Sequence, residues 1–391
     1  MRKLFIIPFL FFTASLNAAV IIRGPFVEDA EPTSAVIRWT TDTPSPAWIE
    51  YGPEGKCSQL MAISSRKINH AITLHGLIAN TKFCYKIYVM NNAGTGVQEA
   101  KTGTFRTLFT PERKIVNFLV IGNSADPKGL AMEMKKQMAQ SMKDYPADFL
   151  IHTGDIGAGG GIVKSDDDFF LPYRTVLTDA PLFPVLGEEE YGENRSTKEG
   201  KGFLAANFKR VHSVPWSKGT PNYYSIDTAN ARIVFIDTNN MYGALQAPAI
   251  DNKSNQYAWL RDTLAKAGAN KWKIVVMHHP VYSSGESEDR LSQVLAPLFE
   301  AQKVNLVIQG HQGAYERTKP IYKGTESKGG PIYITVGGSG KFFEESSYEN
   351  PWSSKYYALP HFVYISIVDR KLSLRTYTHE NKRIDALDIY L

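Results

Sequence analysis

Five apolar runs in this chain each stop on a polar, mostly metal-competent side chain. "FLVIG" is followed by Asn123, "LIHTG" by Asp155, "FPVLG" by Glu188, Glu189 and Glu190, "KIVVM" by His278 and His279, and "VIQG" by His311. Short runs rich in Val, Ile, Leu and Phe, bounded by turn residues, read as buried strands. Helical stretches near residues 129–143, 166–178, 254–267 and 287–301 fall among them, and "PIYITVGGSG" and "HFVYISIV" close the chain as further strands. Strands alternating with helices predict an α/β unit whose sheets are covered by helices. Ligands of such sheets gather at the carboxyl ends of the strands, where these five runs deliver their polar residues. A lone histidine at a strand end is an ordinary structural residue; five convergent ends predict a site.

The first third of the mature chain reads differently. "SAVIRWTT" puts Ala35, Ile37 and Trp39 on one face, and "KFCYKIYV" does the same with Phe83, Tyr85 and Ile87. Period-two alternation between turn signals at Pro53–Gly55 and Asn91–Gly96 predicts short strands. Residues 20–107 therefore read as an all-β sandwich, and "TSAVIRWTT" with "HGLIANTKFCYKIYV" resembles a fibronectin type III-like domain. No catalytic residue type clusters there, which suits a packing or positioning module. "FRTLFTPERK" reads as a linker, and residues 115–391 form the α/β unit.

The chain has 391 residues, enough for two domains, and 43% of them are hydrophobic. Of the formal net charge of +5, two positive charges sit in the first three residues, and no basic stripe follows. That distribution offers no electrostatic case for a nucleic-acid partner, and none is expected. Arg2 and Lys3 precede an apolar run from Leu4 to Phe12 and small residues up to Ala19. Residues 1–19 read as a cleaved signal peptide, since the run is too short to cross a bilayer. No cysteine near the cut offers a lipid anchor, and no later segment reads as a membrane span. The expected location is secreted or periplasmic. Cys57 and Cys84 could pair in such an oxidising compartment, although spacing alone leaves this open.

"HTGD", "VLGE", "VVMHHPVYSSG", "GHQGAYERTKP" and "VGGSG" stand in the order of the metallophosphoesterases. The chain is most similar to the purple acid phosphatase-like members, which also carry a fibronectin-like N-terminal module. The resemblance implies a four-layer α/β/β/α sandwich holding two metals that share a bridging aspartate. The bridging position falls on Asp155, and the second-metal histidines on His278 and His311. The asparagine of the family's GNH motif is Glu188 here, and its histidine, which assists the leaving group, is Glu189. The first-metal positions depart most: Asn123 replaces the first-strand aspartate, Ala158 the tyrosine, and Gly313 the last histidine.

The losses thus fall on one metal. Asp155, Glu188, His278 and His311 remain as two carboxylates and two imidazoles, a set suited to one Zn, Mn or Fe ion. Asn123 is the fifth candidate ligand, and the second metal site is expected to be lost. Glu189 and His279 are the candidate catalytic residues, Glu189 as a proton donor of raised pKa. Two functions follow from the resemblance. One is an exported single-metal phosphoric-ester hydrolase acting on a small phosphate ester. The alternative is an inactive pseudo-phosphatase serving as a binding or scaffold protein. Among the remaining residues, His152 reads as core, and Gly159 to Gly161 as a loop whose N–H groups could face an anion.

Overall fold

The computed structural model describes residues 19–391 apart from 59, 91–96, 111, 127, 130, 161, 193–219, 269–270, 286–288, 341–344 and 346–349. The leader expected over residues 1–19 lies outside the described residues except for its last position.

The N-terminal part is all β. It comprises β1 (Ile21–Glu28), β2 (Ser34–Pro53), β3 (Leu60–His75), β4 (Lys82–Met90) and β5 (Val97–Arg106). β2 and β3 run for 20 and 16 residues, longer than the short strands expected from the sequence. Their length has a structural reason. In its first half β2 pairs β1 and the end of β3, with Ile37 opposite Val27 and Ile72. In its second half it pairs β4 and the start of β3, with Ile49 opposite Ile87 and Ala62. Register shifts between Thr40 and Ala47 mark the crossing. Each long strand therefore serves both sheets of a fibronectin type III-like sandwich, closed over Ile37, Trp39, Ile49, Tyr85, Ile87 and Phe105. Cys57 and Cys84 form a disulfide, with Cα atoms 5.2 Å apart.

The second part opens with β6 (Ile115–Ile121), α1 (Met132–Met142), β7 (Phe149–His152) and β8 (Leu182–Pro184). It continues with β9 (Tyr224–Thr228), β10 (Ala231–Phe235), α2 (Asn255–Ala265), β11 (Trp272–Val276), α3 (Asp289–Ala301) and β12 (Leu306–Gln309). After β13 (Tyr315–Thr318) come a small hairpin, β14 (Ile321–Tyr322) with β15 (Thr325–Glu326), and then β16 (Ile332–Val336) and β17 (Ser353–Tyr357). β18 (His361–Val368), β19 (Lys371–Thr378) and β20 (Arg383–Tyr390) end the chain.

One sheet runs β20-β19-β18-β6-β7-β8 and continues into the sandwich through a single pairing of Leu182 with Glu28. The other runs β17-β13-β16-β12-β11-β10-β9. Alternation along β6 shows the layering. Val116, Phe118 and Val120 meet Ile233, Ile274, Ile308 and Ile334 of the facing sheet. Leu119 and Ile121 point the other way, onto Met138 and Met142 of α1. On the far side, Val275 and Val307 pack under Leu260 of α2 and Leu295 and Phe299 of α3. This is the four-layer α/β/β/α architecture. Three apolar interfaces fix strand register, because a one-residue slip would turn each inner face outward.

Two sequence expectations need correction. The helix expected over residues 166–178 is broken into a turn at Asp166–Phe170 and another at Arg174–Leu177. Asp168 tilts inward there and accepts a hydrogen bond from the Ala158 N–H at 2.9 Å, which draws the segment off a regular helical path. The chain also closes with a further pair of strands, β19 and β20, beyond "HFVYISIV".

Candidate metal centre

The carboxyl ends of β6, β7, β8, β11 and β12 bring Asn123, Asp155, Glu188 to Glu190, His278 with His279, and His311 to one edge between the sheets. Asn123, Asp155 and His311 have φ of 54°, 57° and 68°. Left-handed backbone at three non-glycine residues is a strain that tertiary structure must impose, and it clusters at functional sites. Packing between the strand ends leaves no room for side chains on their glycines. A Cβ on Gly187 would lie 2.3 Å from both the backbone nitrogen and Oδ1 of Asp155. One on Gly154, itself at φ 95°, would lie 2.6 Å from His278 Nδ1.

The imidazole of His278 is held from behind. Its Nδ1–H donates to the Thr153 carbonyl at 2.8 Å, which fixes the tautomer and leaves the lone pair on Nε2. Nε2 is buried and faces Asp155 Oδ2 at 3.4 Å. Glu188 Oε1 lies 3.9 Å from His311 Nδ1, and one ligand atom each of Asp155, Glu188 and His311 lie within 4.8 Å of one another. Ligands about 2.1 Å from a tetrahedral ion stand about 3.4 Å apart, so these spacings fit one divalent ion. Burial pulls the His278 imidazolium down, but Asp155 and then Glu188 outweigh it, and its pKa rises to about 8. An ion would replace that proton.

The remaining expected residues have defined places. The Asn123 carboxamide is engaged with the His311 backbone: Nδ2 donates to the carbonyl at 2.5 Å, and Oδ1 accepts from the N–H at 3.0 Å. The Glu189 backbone N–H donates to Asp155 Oδ1 at 3.0 Å, and its Oε2 accepts from the Gly159 N–H at 2.6 Å. The glycine loop thus turns an N–H to a carboxylate of the chain itself. His279 is fully buried, its Nδ1 lies 2.9 Å from Thr238 Oγ1, and its ring stacks on Tyr242 with centroids 3.6 Å apart. His152 is core, as expected: Nδ1 accepts from the Gly154 N–H at 3.1 Å, Nε2 meets Ser124 Oγ at 2.8 Å, and burial lowers its pKa to about 3.

Sequence reasoning placed Glu190 at this edge without giving it a role, and it missed Thr153 and Thr238 as parts of this site. Glu190 is fully buried and accepts from the N–H groups of Asp155, Ile156 and Gly187 at 3.1, 2.9 and 2.7 Å. Burial, followed by the Asp155 charge, raises its pKa to about 7. Its only signal in sequence was its place in the glutamate triplet. Thr238 had one too, since it follows the β10 run "RIVFID".

Comparisons with known proteins agree with this geometry. The Calcineurin-like phosphoesterase family matches residues 129–315. Purple acid phosphatase 18 of Arabidopsis thaliana is 26% identical over 332 residues, covering 78% of this chain and 68% of that protein. Purple acid phosphatase 21 of the same plant is 28% identical over 285 residues, covering 71% of this chain and 59% of that protein. The purple acid phosphatase PPD1 from yellow lupin seeds shares the fold, with a TM-score of 0.79 at 20% identity over 96% of this chain and 74% of that one. Sequence, fold and strand-end chemistry converge on a metallophosphoesterase, purple acid phosphatase-like protein.

Proposed function

We propose that the chain is an exported phosphoric-ester hydrolase working with a single divalent ion, Zn, Mn or Fe, held by Asp155, Glu188, His278 and His311. The observation that carries this reading is the His278 ring, locked by the Thr153 carbonyl with its buried Nε2 turned to Asp155. Held between a carbonyl and a carboxylate, the buried ring must carry either a second proton, toward which its pKa is raised, or an ion in that proton's place. An ion there would supply charge neutralisation and acidify water. The ester would enter at the exposed side of Glu188 and Glu189, which are only partly buried. The Gly159 N–H holds Glu189 Oε2 in place, and Oε1 would carry the proton given to the leaving group.

Charge sets the substrate class. Four carboxyl groups, Asp155 and Glu188 to Glu190, surround this edge. Unit charges 4 Å apart at an effective dielectric of about 20 interact by about 4 kcal/mol. The dianion of a phosphomonoester meets more repulsion than a diester monoanion, so diesters of small alcohols are the preferred class. Export is supported by the disulfide, which persists in oxidising compartments, and by the leader-like residues 1–19.

A second reading, an inactive binding or scaffold protein, is favoured by the bonds that engage Asn123 and Glu189 with the chain itself. Two measurements separate the readings. Metal analysis of protein purified without chelator should give close to one equivalent, and that metal should support hydrolysis of an aryl phosphodiester. No metal, no turnover and an unchanged melting temperature in chelator would establish the scaffold instead. If the substitutions themselves suppress activity, restoring Asn123→Asp, Ala158→Tyr, Glu188→Asn, Glu189→His and Gly313→His together raises aryl-phosphate hydrolysis; no gain in a folded variant refutes that.

A further inference from the structure

We propose that His279 is a ligand of this ion, so that the centre presents a three-imidazole face of His278, His279 and His311. The inference rests on the single-metal reading above and puts His279, a donor that the motif positions do not contain, in the place given there to Glu188. One nitrogen from each of these rings lies within 4.8 Å of the other two. The ring centroids are 4.7 Å apart for His278 and His279, 5.3 Å for His278 and His311, and 4.9 Å for His279 and His311. The rings of His278 and His279 stand at 85° to each other, so two consecutive residues converge on one point from different directions.

His279 has the support a ligand histidine needs. Thr238 Oγ1 lies 2.9 Å from its Nδ1 and also accepts its backbone N–H at 3.2 Å. With Nδ1–H donating to that hydroxyl, the lone pair sits on Nε2, as it does in His278. Tyr242 stacks on the ring at an interplanar angle of 11° and fixes its rotation. A ring held by a hydrogen bond on one nitrogen and a stacked face is the arrangement that orients metal-bound imidazole. Both rings are fully buried, which keeps competing water away.

His311 belongs to two groups of donors: the nitrogen set with His278 and His279, and an oxygen-rich set with Asp155 and Glu188. Asp155 connects them, 3.4 Å from His278. Three imidazoles and one carboxylate around an ion favour Zn²⁺ or Co²⁺ over Mn²⁺ or Mg²⁺, because nitrogen donors follow the softer, later metals. Glu188, partly exposed beside His311, then stands at the mouth of the site.

The test uses the full mature chain, freed of metal by chelator and titrated with Zn²⁺, Co²⁺ and Mn²⁺. The expected result is one equivalent of Zn²⁺ with three imidazoles by X-ray absorption, and Zn²⁺ favoured over Mn²⁺ by roughly 100-fold or more. Replacing His279→Ala should weaken Zn²⁺ binding by on the order of 100-fold, and Thr238→Val by about 10-fold. Two imidazoles in the absorption spectrum, or His279→Ala binding Zn²⁺ like the parent, overturns the proposal while the single-metal reading stands. No ion bound by the parent chain overturns both. Should His279→Ala fail to fold, the imidazole count of the parent decides.

Discussion

Asn123 and His311 are joined by two hydrogen bonds running in opposite directions, although they lie 188 residues apart in sequence. The carboxamide donates to the His311 carbonyl and accepts from its N–H, so it clamps the end of β6 to the end of β12 across the two sheets. Asparagine suits this task because it carries both a donor and an acceptor and tolerates the left-handed backbone found there.

Asn123→Asp should therefore destabilise the metal-free protein. The new carboxylate can still accept from the His311 N–H, but its other oxygen faces the His311 carbonyl with no proton to share. Loss of a buried hydrogen bond with an unsatisfied acceptor left behind costs about 2–3 kcal/mol. Urea unfolding in chelator should report a loss of that size. An unchanged midpoint would mean that the clamp carries no net stability.

Glu190 is a second clamp, within one sheet. Its carboxylate gathers three N–H groups, from Asp155, Ile156 and Gly187, and so sets the turn that aims Asp155. Glu190→Gln places an amide NH₂ against donors and should cost about 2–4 kcal/mol. It should also weaken metal binding by about 10- to 100-fold, since it acts through a ligand rather than as one. Calorimetric titration separates the two effects, and a stable variant with full metal affinity would refute the positioning role.

Much of this was legible in the chain itself. Buried strands are read from runs of Val, Ile, Leu and Phe, and the residue ending each run is read with them, which is why Asp155, Glu188, His278 and His311 could be named. What could not be read is which side chain of a triplet turns inward. Glu188, Glu189 and Glu190 are chemically identical in sequence, and only packing buries the third fully and leaves the first two partly exposed. The Thr153 and Thr238 contacts are likewise tertiary. β19 and β20 escaped because "KLSLRTYT" and "RIDALDIY" alternate apolar and polar residues at the edge of the sheet, a weaker signal than a continuous buried run.

His361 predicts acid sensitivity away from the metal centre. It is fully buried, donates from Nδ1 to the Leu359 carbonyl at 2.8 Å, and lies edge-on to Tyr315. Burial lowers its pKa from 6.5 to about 4, against a smaller opposing effect of the Leu359 carbonyl. Between those values the unfolded chain binds a proton that the folded chain does not, so stability falls as pH drops through this window. At about 1.4 kcal/mol per unit, the loss from pH 6.5 to 4 is about 3 kcal/mol. His361→Phe should flatten urea stability over that range by this amount. An unchanged slope would place the acid sensitivity elsewhere.

The disulfide should matter to the sandwich and not to the metal. Cys57 and Cys84 are 27 residues apart, and closing a loop of that size restricts the unfolded chain by about 3–4 kcal/mol. The bond joins the turn after β2 to β4, and the metal-site residues lie beyond it on the second part of the chain. Cys57→Ser with Cys84→Ser should lower the unfolding free energy by that amount and become insensitive to reductant, while the parent loses stability when reduced. Metal stoichiometry should be the same in both. If metal binding also failed, the single pairing of Leu182 with Glu28 that continues the sheet from the sandwich into β8 would transmit strain to the loop carrying Glu188. Tightened binding on restoring the disulfide would then expose that coupling.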